Sequence, residues 1–288
     1  MFRDGLLAGK RILITGGGTG LGKSIGRRYV ELGAELVICG RRGEMLQLAA
    51  DEFARDFGAR IETHVCDVRD AGAVGTMMDR IWESGPLDVL LNNAAGNFLA
   101  RTERLSPRAV DAVIDIVLKG GAYCTIAAGR RWIDAGRGGT VLCILTQSAL
   151  VGAPFTVPSA MAKAGLLAMI RSLAVEWGPK GIRLVGVAPG PFPTEGAWAQ
   201  LMPKERHREP IENGIALRRV GRHEELADLC SFLVSDGAGF ITGEAIVIDG
   251  GKMLQGAAGA SAFNMQNWPD ETWENLRKRK PREGMNRK

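Results

Sequence analysis

Residues 11–23 read RILITGGGTGLGK: an aliphatic, β-branched run, then a glycine-rich turn, then the start of a helical pattern. Gly16 permits a sharp turn after a strand, and Gly20 and Gly22 allow the backbone and the helix to approach a bound anion closely. A helix that begins directly after such a turn offers unpaired N–H groups to a pyrophosphate. The spacing is G-x-x-x-G-x-G rather than G-x-G-x-x-G, so the position between the first strand and the first helix carries the prediction. A purely structural turn is the alternative.

The rest of the chain continues this alternation of short apolar runs and helix-length stretches. We predict strands at Arg11–Thr15, Glu35–Cys39, Ile61–Val65, Asp88–Leu91, Thr140–Leu145, Ile182–Val187 and Ala245–Ile248. We predict helices at 19–32, 43–57, 70–84, 103–135, 157–178 and 222–235. Apolar runs this short and continuous fit strands that are buried on both faces, as in a parallel sheet. The predicted fold class is therefore α/β, a Rossmann-like doubly wound parallel sheet of about seven strands with helices on both faces.

Composition fits one globular domain of this class. The chain has 288 residues, a net charge of +5 and 45% hydrophobic residues, which are ordinary values for a soluble globule. We predict a single domain over residues 1–255 and a C-terminal extension over 256–288, with a short helix that begins near Trp268-Pro269-Asp270 and a basic end. We interpret that end as a solvated terminus, with nucleic-acid binding as the alternative.

Cysteine and histidine usage gives no indication of a metal site. The 5 cysteines contain no CxxC pair and the 3 histidines are scattered, so no metal is predicted. No uninterrupted apolar run reaches the ~18 residues of a membrane span, and the N-terminal residues lack a secretory pattern. We expect a reduced, cytoplasmic protein without a membrane or nucleic-acid partner.

The end of the second predicted strand indicates which dinucleotide is bound. An NAD-binding chain places Asp or Glu there to accept hydrogen bonds from the ribose hydroxyls. Here the strand ends Cys39-Gly40-Arg41-Arg42, and two guanidinium groups favour the 2′-phosphate of NADPH. NADPH is therefore the predicted cofactor, and the alternative is that both arginines are merely solvated.

Four segments together resemble the short-chain dehydrogenase/reductases over about residues 8–252: Thr15–Gly22, Asn92–Gly96 (NNAAG), Lys163 in its helix, and Pro189-Gly190. The resemblance implies a nicotinamide cofactor held at the carboxyl edge of the sheet. It implies the cofactor-binding residues Gly16, Gly18, Thr19, Gly20, Leu21, Arg41, Arg42, Asp67, Val68, Asn93, Ala94, Ala95, Lys163, Pro189, Gly190, Pro191 and Phe192.

The chain departs from that family's usual pattern at the catalytic centre. The family places a tyrosine four residues before the lysine, and this chain has Ser159 before Lys163. A serine hydroxyl is too weak an acid to replace a tyrosine. Tyr29 lies in the helix after the phosphate turn and Tyr123 in a long mid-chain helix, so neither is an obvious substitute and both are interpreted as packing residues. Val117 stands where the family usually has a helix asparagine, and Thr146 where it has a serine. Ordinary carbonyl reduction is therefore not expected.

The departures resemble one branch, the 2,4-dienoyl-CoA reductases of the mitochondrial type. The matching segments are NNAAGNF at 92–98, TERLSP at 102–107, VPSAMAKAG at 157–165, AVEWGP at 174–179 and Pro189–Pro191, with the tail around Phe263-Asn264 and Trp273. This resemblance implies that hydride passes from NADPH to Cδ of a 2,4-dienoyl thioester while solvent supplies the proton, in unsaturated fatty-acid β-oxidation. It also implies a homotetramer assembled through the helices at 103–135 and 157–178.

The same resemblance implies roles for individual residues. Asn97 matches the asparagine that holds the thioester oxygen, and Lys163 binds the nicotinamide ribose and, with Ser159, adds positive potential and a hydrogen-bond donor. The branch has a tyrosine where this chain has Ser148, and an arginine for CoA where it has Gln200. The positions that match acyl-CoA contacts are Arg69, Phe98, Ser106 and Gln200.

Two alternatives stay open beside a dienoyl-CoA reductase. One is a reductase that acts on another enoyl- or ketoacyl-thioester, and the other is a catalytically impaired NADPH-binding protein. Residues 194–208, which include Trp198 and Met202, are interpreted as a lid over an acyl chain, because loops of this size often form mobile binding elements.

Overall fold

A computed structural model describes residue 2, residues 4–194, Gly196, residues 211–255 and residues 268–278. Its centre is one parallel sheet of 7 strands in the order β3-β2-β1-β4-β5-β6-β7. The strands are β1 (Arg11–Thr15), β2 (Glu35–Gly40), β3 (Glu62–Val65), β4 (Val89–Asn92), β5 (Gly139–Ile144), β6 (Ile182–Pro189) and β7 (Ala245–Ile248). All seven predicted strands and the parallel arrangement are confirmed.

Helices connect the strands and cover both faces of the sheet. They are α1 (Gly20–Glu31), α2 (Gly43–Phe57), α3 (Ala71–Ser84), α4 (Pro107–Ile114), α5 (Gly120–Asp134), α6 (Ser148–Val151), α7 (Val157–Trp177), α8 (His223–Val234) and α9 (Asp270–Lys278). The short helix predicted in the C-terminal extension is confirmed as α9. Residues 256–267 and 279–288 lie outside the described residues, so the boundary at residue 255 stays a prediction.

Alternate residues of each central strand enter two different core layers. On β1, Leu13 belongs to one hydrophobic cluster, whereas Ile12 and Ile14 belong to the other. All three side chains are fully buried. The sheet is therefore buried on both faces, as expected of parallel strands that read as continuous apolar runs.

The strand order reverses between β1 and β4, and this reversal opens a crevice at the carboxyl ends of the strands. In open α/β sheets, ligands bind in this crevice. The phosphate turn after β1, the arginines after β2 and the segments after β4, β5 and β6 all lie along this edge. The sheet thus gathers the predicted cofactor residues from distant parts of the sequence.

The predicted single helix at 103–135 is wrong in detail. α4 begins only at Pro107 because Ser106 caps it, accepting a hydrogen bond from the Ala109 N–H at 3.2 Å. Residues Asp115–Lys119 then form a π-helix before α5. Hydrophobic periodicity does not distinguish a π-helical turn inside a longer helix, because the pattern on either side continues.

The combined helix Pro107–Asp134 is long and apolar enough to cross a membrane by length and composition alone. Cys124, Ala128 and Trp132 are nevertheless fully buried against the sheet. The Trp132 indole donates a hydrogen bond to the Leu87 carbonyl at 2.6 Å. We therefore interpret this helix as a core element of the α/β layer structure.

Candidate active site

The turn after β1 has the backbone geometry that close approach to an anion requires. Gly16 and Gly20 adopt positive φ angles of 69° and 55°, which a side chain would strain. Thr19 precedes α1 without forming a side-chain cap, and the first turn of α1 contains no acidic residue. The N–H groups at the start of α1 are thus not capped by the Thr19 side chain, and the helix dipole there favours a negative charge.

Asn93 holds this turn against the end of β4. Its amide donates to the carbonyl oxygens of Thr15 and Gly16 at 2.9 and 3.2 Å. The Thr15 hydroxyl oxygen accepts from the Asn93 and Ala94 N–H groups, each at 3.0 Å. Because the Asn93 side chain is used in this way, the structure makes it a support of the turn and leaves its backbone for cofactor contact.

Gly22 is the tightest point of the turn. A Cβ there would lie 2.5 Å from the Gly16 carbonyl oxygen and 2.5 Å from the Asn93 amide nitrogen. A side chain would therefore push α1 away from the turn. The cradle built by these glycines fits the pyrophosphate of a dinucleotide.

Arg41 and Arg42 are exposed directly after β2, as predicted. Within the described part of the chain, neither forms a salt bridge or a side-chain hydrogen bond. Arg42 precedes α2 and does not cap it. Two guanidinium groups at the end of β2 can therefore receive a phosphate without first losing a partner.

Two other predicted contact residues bind each other. Arg69 donates to the Asp67 carboxylate at 2.5 to 3.0 Å, and this hydrogen bond is the main cause that lowers the Asp67 pKa. Neighbouring Val68 is buried, and a Cβ on Gly120 would lie 2.7 Å from its Cγ2. The Val68 side chain is thus a packing contact with α5, which leaves only its backbone for the cofactor.

Lys163 and Ser159 lie four residues apart on α7 and are both buried, with exposures of 4% and 5%. The Lys163 ammonium donates to the Ile144 carbonyl at the carboxyl end of β5. Burial lowers the pKa of Lys163 to about 8, because desolvation disfavours the charged form. The shared face predicted for these two residues is confirmed.

The segment after β5 brings the Thr146 and Ser148 hydroxyls into direct contact. Ser148 begins α6 and stands where the branch has a tyrosine, and Thr146 stands where the family usually has a serine. The hydroxyls at these two positions therefore lie side by side. Next to them, the Gln147 amide contacts the Asp249 carboxylate beyond β7. The sequence patterns gave no signal for Gln147, because its partner lies 102 residues away.

The segment after β4 holds Asn97, whose side-chain oxygen accepts from the Phe98 N–H at 2.9 Å. Among the described residues, no hydrogen bond joins Asn97 to Lys163 or Ser159. Asn92 is structural, as we interpret from its buried hydrogen bond to Thr125 at 2.8 Å. The Ser106 hydroxyl, predicted at the acyl-CoA, caps α4 by accepting from the Ala109 N–H.

The loop after β6 is anchored at both sides. Gly190 donates to the Ile248 carbonyl at 2.9 Å, and the ring of Phe192 is 9% exposed and packs on Gly221. Pro191 and Phe192 line a cavity of about 120 Å³ together with Leu217, Arg219 and Ile248. Gln200 and nearly all of the predicted lid at 194–208 lie outside the described residues.

Comparisons with known proteins agree with this geometry. The sequence profile of a family described as enoyl-(acyl carrier protein) reductase matches residues 16–252. A short chain dehydrogenase structure from Bacillus anthracis aligns with a TM-score of 0.77 and 40% identity, covering 85% of this chain and 97% of its own. The chain belongs to the short-chain dehydrogenase/reductase family. It is therefore an oxidoreductase of a family that uses nicotinamide cofactors.

Two curated relatives within the short-chain dehydrogenase/reductases carry more specific names. "Probable 2,4-dienoyl-CoA reductase 3 [(3E)-enoyl-CoA-producing]" of Caenorhabditis elegans is 41% identical over 278 residues, which is 95% of this chain and 90% of that protein. "Probable 2,4-dienoyl-CoA reductase [(2E)-enoyl-CoA-producing]" of Bacillus subtilis is 40% identical over 247 residues, which is 85% of this chain and 97% of that protein. A gluconate 5-dehydrogenase structure from Burkholderia cenocepacia, in complex with NADP and tartrate, aligns with a TM-score of 0.81 and 29% identity over 88% of this chain and 98% of its own.

Neither of the two tyrosines of this chain lies on α7 beside Lys163. Tyr29 lies on α1, is fully buried, and its hydroxyl has no hydrogen-bond partner among the described residues. Tyr123 lies on α5 and is half-buried. The interpretation of Tyr29 as a packing residue is confirmed, and the hydroxyl four residues before Lys163 belongs to Ser159.

Proposed function

We propose that this protein reduces 2,4-dienoyl-CoA thioesters to 3-enoyl-CoA with NADPH, in the breakdown of unsaturated fatty acids. The hydride goes to Cδ of the dienoyl group and the proton comes from solvent. The proposal is supported by similarity: relatives that are about 40% identical to this chain are named probable 2,4-dienoyl-CoA reductases.

One observation carries the proposal: the buried Ser159 beside Lys163, in an otherwise intact cofactor edge. Reduction of an isolated carbonyl needs an acid that protonates the oxygen as hydride arrives. Reduction of a conjugated thioester needs its developing oxyanion stabilised instead. Loss of the tyrosine therefore removes the first kind of reaction and leaves the second.

Bound NADPH supplies the hydride. The glycine turn before α1 receives its pyrophosphate, since the start of α1 carries no acidic residue and no side-chain cap. Arg41 and Arg42 receive the 2′-phosphate, because they are exposed and neither forms a salt bridge with any of the residues that the structure describes. The chain thus orients the cofactor through its phosphates at two points of the sheet edge.

Hydride addition at Cδ pushes electrons through both double bonds onto the thioester oxygen. The positive charge of Lys163 and the amide of Asn97 stabilise that dienolate oxygen, and the Thr146 and Ser148 hydroxyls supply further donors. Lys163 can do this only while protonated, so its pKa of about 8 places the alkaline limit of the reaction near that pH. By resemblance, Phe98 and Arg69 contribute contacts to the acyl-CoA.

The test is oxidation of NADPH by the purified protein, with 2,4-decadienoyl-CoA, crotonyl-CoA and acetoacetyl-CoA as substrates. We expect turnover of the dienoyl thioester alone, and its loss in Lys163→Ala and Asn97→Ala. Lys180→Ala, an exposed lysine just after α7, is the matched control and should turn over normally. A preference for crotonyl-CoA or acetoacetyl-CoA would overturn the dienoyl assignment, and NADPH binding without any turnover would indicate a non-catalytic protein.

We also propose a homotetramer assembled through α5 and α7. Ile126 on α5 and Met161 and Val175 on α7 are exposed by 47%, 48% and 80%, and apolar side chains on adjacent helices favour burial against another subunit. Analytical ultracentrifugation tests this: we expect a tetramer that Val175→Glu dissociates, and a monomeric wild type would refute it.

A further inference from the structure

His223, the first residue of α8, connects three separate segments of the chain. Its Nδ1 lies 2.8 Å from the Ser24 hydroxyl on α1, and its Nε2 lies 2.6 Å from the Pro193 carbonyl in the loop after β6. A carbonyl oxygen can only accept, so Nε2 carries a proton and donates to Pro193. Both ring nitrogens are used, and the imidazole bridges the loop and the helix that begins at the phosphate turn.

The same loop touches the phosphate turn a second time. Thr194 Cγ2 lies 3.7 Å from the position of a Cβ on Gly20. The Ser24 hydroxyl that contacts His223 also lies 3.1 Å from the Gly20 carbonyl oxygen. Thr194 thus lies close to the glycine that opens α1, and His223 with Ser24 joins the Pro193 carbonyl to the same helix.

We propose that His223 is a positioning residue that latches the loop Pro189–Thr194 onto the phosphate turn, so that release of the nicotinamide cofactor requires its two hydrogen bonds to break. Pyrophosphate at α1 and nicotinamide beside the loop are then held by one connected unit. This inference rests on the nicotinamide cofactor of the family and not on the dienoyl substrate.

The latch acts on both dinucleotides alike. His223 contacts Ser24 and Pro193, whereas the 2′-phosphate is assigned to Arg41 and Arg42 on the far side of β1. Loss of the imidazole is therefore expected to raise the dissociation rates of NADPH and NADH by the same factor. Loss of the arginines is expected instead to weaken the binding of NADPH much more than that of NADH.

The experiment measures cofactor dissociation by stopped-flow fluorescence in full-length variants. His223→Ala removes both hydrogen bonds and is expected to raise the dissociation rate and the Kd about tenfold. His223→Gln keeps a donor at the position of Nε2 and is expected to restore the rate to within about threefold. Ser24→Ala removes only the contact with α1 and is expected to raise the rate about threefold.

Asp228→Asn is the matched control for helix packing. Asp228 on α8 binds Arg28 on α1 at 2.7 Å, so this variant removes an ion pair between the same two helices without touching the loop. We expect its dissociation rate to equal that of the wild type, and its melting temperature to fall by about as much as that of His223→Ala.

Each outcome decides the proposal. Faster release of both cofactors in His223→Ala, with rescue by glutamine and no effect of Asp228→Asn, supports the latch. An unchanged rate in His223→Ala, or an equal rise in Asp228→Asn, overturns it. Dienoyl-CoA turnover is not part of this readout, so an inactive protein that shows the latch refutes only the proposed reaction, and a wild type that binds neither dinucleotide overturns both.

Discussion

Replacement of Lys163 by methionine is predicted to abolish activity and to stabilise the fold at neutral pH. The side chain is 4% exposed, and burial lowers its pKa from 10.5 to about 8. Between pH 8 and pH 10.5, Lys163 is therefore mostly protonated in the unfolded chain and mostly neutral in the folded one. The folded protein carries the protonated lysine below pH 8 at a cost that a methionine of similar shape does not have.

The size of the effect follows from the two pKa values. One pKa unit corresponds to about 1.36 kcal/mol, so the lowered pKa of Lys163 costs the folded state about 3 kcal/mol at pH 7 and about 1 kcal/mol at pH 10. The lost hydrogen bond to the Ile144 carbonyl offsets about 1 kcal/mol. We expect Lys163→Met to raise the free energy of unfolding by about 2 kcal/mol at pH 7 and to leave it nearly unchanged at pH 10.

Urea unfolding followed by the fluorescence of the 6 tryptophans measures this difference at both pH values and one protein concentration. Burial also raises the pKa of Cys143 to about 11, so this thiol is mostly neutral in the folded protein at both pH values and adds little to the difference. Lys180→Met, at an exposed site, should stay within about 0.5 kcal/mol of the wild type. The reasoning is refuted if Lys163→Met destabilises the protein by the same amount at pH 7 and pH 10.

Three further changes test the cofactor and substrate edges. Arg41→Ala with Arg42→Ala should raise the Kd for NADPH about a hundredfold, since two charge-assisted hydrogen bonds are lost, and leave NADH within about threefold. Equal weakening in a fluorescence titration would contradict this. Gly22→Ala should abolish binding of both cofactors, because its Cβ would lie 2.5 Å from the backbone of the turn. Gly75→Ala, where a Cβ meets nothing within 4 Å, is the control, and retained binding in the first variant would refute the clash. Ser148→Tyr should raise kcat for a dienoyl-CoA about tenfold or more by adding an oxyanion donor, and a lower kcat would argue against that role.

The fold was predictable because its signals are local. Each strand of the parallel sheet is a continuous apolar run, and the bounds of β1 and β7 agree with the prediction to the residue. The turn at Gly16–Gly22 was predictable for the same reason, since positive φ and close packing select glycine whatever the rest of the chain does.

The tasks of individual side chains could not be read from the sequence in the same way. Asn93 and Val68 are predicted at the cofactor and Ser106 at the acyl-CoA, but in the structure their side chains support the turn, pack on α5 and cap α4. A pattern match gives a residue's position along the chain, whereas its hydrogen-bond partners depend on elements that are distant in sequence. His223 shows the limit most clearly, because its partners lie 199 and 30 residues away.

The measurement that tests the central claim most directly is the structure of the product. The protein is given 2,4-decadienoyl-CoA and NADPH carrying deuterium at the transferable position, and the product is analysed by NMR. We predict a 3-enoyl-CoA with deuterium at Cδ and a solvent proton at Cα. A 2-enoyl-CoA product, deuterium at another carbon, or an unreduced substrate with bound NADPH would contradict the account.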